Sequence, residues 1–168
     1  RRFAPTGMAQ MAMPVNVAIG ADGTRYVADS GRSRVLCYGP DDAFLGELGG
    51  EDGARVTSVA WSHDRLYVTD INGHCVRVYE AASRRLVQTI PRDPAALTDK
   101  DPAKLFVPVN LAVDGAGRLY VSDLAACRVQ VYDADGRHLR TIGSQGDYPG
   151  QFARPKGVAV DREGRLYV

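Results

Sequence analysis

At 168 residues and 45% hydrophobic composition, the chain is long enough to enclose one sizeable core. Its formal charge of +1 argues against a dedicated polyanion binder. No apolar run nears the roughly 20 residues that a bilayer-spanning helix needs, and Arg1-Arg2-Phe3-Ala4-Pro5 does not read as a signal peptide.

Taken in order, the sequence falls into copies of one unit. Residues 1–13 read as the tail of such a unit, with Arg2-Phe3-Ala4 standing where Arg140-Thr141-Ile142 stands in a later copy. A first full unit occupies about 14–50, with strands expected at 16–19, 25–28, 34–38 and 44–48. A second, about 56–90, has strands expected at 58–61, 65–69, 76–79 and 85–90. Its first turn, Ser62-His63-Asp64, is one residue short, and Cys75 stands where other copies carry Arg34 and Arg128. The connection 91–107 is long, with three prolines and a short helical turn expected around 95–98. The third unit, 108–143, is the most regular, with strands at 110–113, 118–122, 128–132 and 138–142. A fourth, 155–168, opens at Pro155 and holds two strands. Each strand is short, rich in β-branched residues and bracketed by Asx/Gly turns that supply positive φ.

The equivalent tyrosines Tyr26, Tyr67, Tyr120 and Tyr167 lie 41, 53 and 47 residues apart. Four strands at such a period are the signature of a β-propeller. The fold class expected is all-β, a propeller segment of four-stranded antiparallel blades, about three and a half of them over 1–168. The runs PKGVAVD (155–161), GRLYV (164–168), RLYVSD (118–123) and RVQVYD (128–133) resemble the NHL repeat family. The linker GSQGDYPGQFARP (143–155) is similar to that family's connection between repeats. The resemblance implies a ring, usually of six blades. Remaining blades of the same protein are therefore expected, because about 15 strands do not divide into whole four-stranded blades. Open sheet edges would otherwise invite aggregation.

Asp29, Asp70 and Asp123 follow the second strand of each copy. A carboxylate there can cap the next loop by accepting backbone N–H groups and can pair with the arginine five residues on, Arg34 or Arg128. Recurrence marks these five residues as structural. Asp70 is followed by Cys75, lacks that arginine, and is the one most free for another role. The innermost strands open with Asn16, Ser58 and Asn110. These side chains are expected to ring the mouth of a central channel, bonding a small ligand or ordered water. The resemblance places the loops between second and third strands, and between blades, on one face, usually the binding face. Arg32, Asn72, His74 and the connection 91–107, with Asp99, Lys100 and Lys104, fall there. His63 and His138 fall opposite, so the three histidines do not converge on one metal. Nothing reads as a nucleophile elbow, a P-loop or a carboxylate pair, so no catalytic and no metal-ligating set is assigned.

Arg25, Arg65, Arg118 and Arg165 recur at the start of the second strand. Solvated strand-edge arginine is expected there rather than a basic RNA-binding ring, since no aromatic interleaving supports stacking. Cys37, Cys75 and Cys127 are odd in number and without Cys-x-x-Cys spacing, which suits buried thiols, with a Cys75–Cys127 pairing left open. The function expected is a propeller scaffold that presents loops of one face to a protein partner, at 30–33, 71–74, 124–127 and 91–107. The alternative is a metal-dependent propeller enzyme of lyase or lactonase type. A zinc-dependent amidating lyase belongs to the same broad family, and no positions here match its histidines. Axial calcium or zinc would take ligands from further blades, and no cofactor is expected of this segment. RNA binding through the arginine-bearing face is a third reading, and nucleic acid is the disfavoured partner. Arginine outnumbers lysine by 18 to 3, as in GC-rich bacterial coding. Resemblance to secreted or periplasmic bacterial NHL proteins favours an exported location.

Overall fold

A computed structural model describes residues 10–50 and 53–168. Strands β1 (Pro14–Ile19), β2 (Arg25–Asp29), β3 (Arg34–Tyr38) and β4 (Phe44–Gly49) form one antiparallel sheet in that order. Strands β5 (Val56–Ser62), β6 (Arg65–Asp70), β7 (Cys75–Glu80) and β8 (Leu86–Ile90) repeat it. So do β9 (Pro108–Val113), β10 (Leu119–Asp123), β11 (Arg128–Tyr132) and β12 (His138–Ile142). The hairpin of β13 (Ala159–Val160) and β14 (Leu166–Tyr167) begins a fourth sheet. Of the tail expected over 1–13, residues 1–9, with Arg2-Phe3-Ala4, lie outside the described residues.

Register repeats with the sequence. Tyr26 pairs with Cys37, Tyr67 with Val78 and Tyr120 with Val131, the same place in each second hairpin. The short turn of the second sheet closes Ser62 against Arg65 across His63 and Asp64, with φ of 49° and 56°. Positive φ at both central positions is the tight hairpin turn that matches strand twist. The helical turn in the long connection is a single 3-10 turn, Pro94–Ala96, whose Ala96 N–H is capped by Asp93.

The sheets stack face to face, and the core lies between them. Tyr26, Ala28, Val35 and Cys37 of the first meet Val56, Val59, Leu66 and Val68 of the second. Val76, Val78 and Ile90 of the second meet Leu111, Leu119 and Tyr132 of the third. The inner strands follow one another, β1 on β5, β5 on β9 and β9 on β13, as blades do around an axis. The first sheet shows what stacking contributes. Val59 and Leu111 are 3% and 5% exposed, whereas Val17, at the equivalent place on β1, is 57% exposed. Met13, Val15 and Ile19 continue that open stripe. Burying one such side chain contributes about 1.5–3 kcal/mol.

This stacking corrects one expectation. A blade's two faces look toward its neighbours, so inner-strand side chains point sideways and the strand's edge looks toward the axis. Asn16 does not face a channel: its Oδ1 accepts the Val59 N–H of the next sheet at 3.2 Å. Ser58 is fully buried, and its hydroxyl has no hydrogen-bond partner among the described residues. Asn110 is half-buried and pairs with Ser122, whose hydroxyl donates to the Asn110 carbonyl and to Lys156 of the linker to the fourth sheet.

Candidate functional site

The loops between second and third strands are built on buried carboxylates. Asp29, Asp70 and Asp123 are all 0% exposed. Each reaches back to the segment entering its own sheet. Asp29 accepts the N–H groups of Ala12 and Met13 at 2.6 and 2.8 Å, and of Gly31 and Arg32 within its loop. Asp70 accepts those of Arg55 and Gly73. Asp123 accepts those of Phe106 and Val107. Loop geometry also repeats, with Ser33, His74 and Cys127 at φ of 54°, 52° and 50°.

The arginine partners differ from expectation. Asp70 does not lack one: Arg77, two residues beyond Cys75, holds its Oδ2 at 2.7 Å through Nη2 and 3.0 Å through Nε. Cys75 therefore moves the pair by one step along the same strand face and leaves no free carboxylate. Burial of Asp70 opposes ionisation, but hydrogen bonds from Arg55, Arg77 and Gly73 outweigh it and hold its pKa below 3.8. Arg34 pairs with Glu47 at 2.7 Å. Arg128 lies 3.5 Å from Asp123 and donates to the Lys104 carbonyl at 2.7 Å.

Three residues placed on the binding face are clasps. Arg32 donates to the Gln10 carbonyl, Asn72 to that of Gly53, and His74 Nδ1 lies 2.6 Å from that of Phe106. Each ties a loop to an incoming connection. The structure brings His74 and Lys104 to the same connection and leaves Arg32 and Asn72 at two others. His63 contacts the Ser62 hydroxyl, and His138 lies against Gln130 and Thr141, so the histidines stand apart. Among the described residues, no three His, Cys, Asp or Glu side chains are grouped to hold a metal ion. Cys37, Cys75 and Cys127 are free and buried, and burial pushes the Cys37 thiol up to about 11. Arg25, Arg118 and Arg165 are paired rather than simply solvated, with Asp42, Asp114 and Asp161 at 2.7, 2.6 and 2.6 Å.

The connection 91–107 divides in two. Its second half is strapped to the third sheet. Gln130 and Tyr132 donate to the carbonyls of Pro102 and Ala103, and Leu105 is 0% exposed between the second and third sheets. Lys104 is held by Asp99 at 2.6 Å and lies over the Phe106 ring at 5.4 Å. The first half, from Arg92 through the largely exposed Asp99 and the exposed Lys100, is mostly solvent-exposed and meets the anchor through Asp99 and Leu97 at Lys104. The sequence reading missed Gln130 and Tyr132 as anchors. The available signal was Gln130 itself, a polar residue inside an otherwise apolar strand that needs a buried partner.

Several solved structures share this fold. Virginiamycin B lyase from Staphylococcus aureus superposes with a TM-score of 0.67 at 14% identity, over 92% of this chain and 47% of that one. Hydrazine synthase from Kuenenia stuttgartiensis gives 0.71 at 15%, over 97% and 44%. A chain of the mitotic checkpoint complex gives 0.66 at 20%, over 99% and 48%. These are β-propeller proteins, and the chain is a propeller segment that spans about half the length of the solved chains it matches. No family model matches the chain.

Proposed function

We infer that this chain is part of a larger NHL-type propeller that binds a protein partner through the projecting half of the connection 91–107. The observation that carries this is the division of that connection. A strap tied to Gln130, Tyr132, Arg128 and Asp123 presents a solvated segment of mixed charge from a stiff base. An element held in this way loses little conformational freedom on binding, which favours affinity. One matched structure is that of a checkpoint complex, an assembly of proteins. The open stripe Met13, Val15, Val17 and Ile19 supports a further blade at the first sheet, because the equivalent positions on β5 and β9 are where the preceding sheet packs.

The test uses the full-length protein with residues 92–100 replaced by a Gly/Ser segment of equal length. The expected result is an unchanged melting temperature and loss of the partner that co-purifies with the parent protein. Unchanged partner retention would sink the reading. Stoichiometric calcium or zinc surviving dialysis of the full-length protein, with turnover dependent on it, would replace the scaffold reading with the metal-enzyme one.

A further inference from the structure

On the side opposite the strap loops, a cleft of about 540 Å³ opens between the first and second sheets. The repeat explains why it is there. In the third and fourth sheets, the residue after the inner strand is an aspartate that clasps an arginine and the second-strand tyrosine. Asp114 holds Arg118 at 2.6 Å and the Tyr120 hydroxyl at 3.2 Å, and Asp161 holds Arg165 at 2.6 Å and the Tyr167 hydroxyl at 2.9 Å. The two sheets that flank the cleft have both lost this clasp. Gly20 and Ser62 occupy its place. In register with the tyrosines, Thr24 holds the place of Arg118 and donates to Asp22, while Arg25 turns to Asp42.

Gly20 is buried beside residues that line the cleft. Its backbone needs no left-handed φ, yet a Cβ there would come within 2.9 Å of Asp22 Oδ1, 3.3 Å of Tyr26 Cε2 and 3.6 Å of Trp61 Nε1. Two aromatic side chains and a carboxylate therefore converge on that point. Trp61 stands where β1 and β9 carry Ile19 and Val113. Its indole N–H takes no partner among the described residues.

The charges are unbalanced. Asp22, Asp64 and Glu80 face the cleft with Arg84 as the cation. Arg84 donates to the Leu45 carbonyl at 2.6 Å, and its charge also reaches Tyr26 and Cys37. Asp22 accepts from the Thr24 N–H and hydroxyl, and Glu80 from the Ser83 hydroxyl. Asp64, in the tight turn at the cleft mouth, has a carboxylate with no partner among the described residues. A wall of Trp and Tyr beside three carboxylates that outnumber the one arginine is an environment that attracts an ammonium or guanidinium group. The geometry points to this cleft as a binding site for an organic cation, carried by a small amine or by a basic side chain of a peptide.

Trp61 is the single tryptophan of these 168 residues, and a Trp61→Phe control isolates its share of the full-length protein's fluorescence. The full-length protein is titrated with Nα-acetyl-arginine amide, with its uncharged isostere Nα-acetyl-citrulline amide, and with the end-capped peptide Gly-Arg-Gly. Arginine amide is expected to change Trp61 emission saturably, with citrulline amide at least about tenfold weaker. Asp64→Asn suits the left-handed turn and should weaken the cations about fivefold or more. Gly20→Ala, whose Cβ would press on Asp22 and Tyr26 of the lining, is an independent second variant and should weaken them likewise. Tighter binding of Gly-Arg-Gly than of the amide assigns the cation to a peptide, and equal or weaker binding assigns it to a small amine. The proposal is overturned if arginine amide gives no saturable change, if citrulline amide binds equally well, or if neither variant alters binding.

Discussion

The junction between the first and second sheets and that between the second and third begin alike and end differently. In both, the inner strands stack and a buried aliphatic residue, Val59 or Leu111, seals the centre. At the first junction the connection between sheets is short, and the side opposite the loops opens into the Trp61 cleft. At the second, the connection is long and its return half enters the junction, where Leu105 packs with Val76, Ile90 and Tyr132. Lengthening a surface connection costs little closure entropy, because the cost grows only with the logarithm of length. The added residues can then fill a junction and still leave a segment exposed to solvent.

The comparison can be broken most forcefully at Asp123. Asp123→Ala removes the acceptor of two strap N–H groups and leaves Arg128 without its carboxylate. The expected cost is about 4 kcal/mol, read from guanidinium unfolding. A cost under about 1 kcal/mol would mean that the strap adds nothing to the junction.

Next come two leucines, one at each junction. Leu105→Ala should cost about 3 kcal/mol, since the side chain is fully buried. Leu45→Ala, at the rim of the open cleft and 45% exposed, should cost about 0.5 kcal/mol. Equal losses in paired unfolding curves would erase the distinction between filled and open.

These positions also show how far sequence alone reached. Strands and turns were legible because short β-branched runs bracketed by Asx/Gly turns recur in the copies. The direction of inner-strand side chains was not, because equivalence between Asn16, Ser58 and Asn110 says nothing about which way the sheet stands. The partner of Asp70 was hidden because the repeat position five residues on holds Cys75, whereas Arg77, on the same face of the strand, reaches it. The cleft was legible in principle, as Gly20 and Ser62 in the place of Asp114 and Asp161. Its significance required the face-to-face stacking that brings those two losses together.

A third prediction concerns acid. Because the pKa of Asp70 is lowered in the folded protein, its contribution is complete above 3.8 and is lost as the pH falls through the lower folded value. Asp70→Asn should therefore cost about 2–3 kcal/mol at pH 7, and the gap from the parent should shrink below pH 3.8. A gap that stays constant into acid would remove the Asp70–Arg77 pair from the account.

The smallest effect is chemical. Cys37 is fully buried with its thiol raised to about 11, so an aromatic disulfide reagent at pH 8 should leave it unmodified over minutes in the native protein. All three thiols should react on unfolding. Rapid native labelling of Cys37 would show that the first junction opens well beyond its cleft.

The proposed recognition role rests on a connection whose return half is fastened to the third sheet and whose first half is exposed, and amide hydrogen exchange along 91–107 measures this directly. The account predicts slow exchange at Phe106 and Val107, whose N–H groups Asp123 holds, and fast exchange across 98–100. Uniformly fast exchange from 92 to 107 would contradict it, because the projecting segment would then have no fixed base.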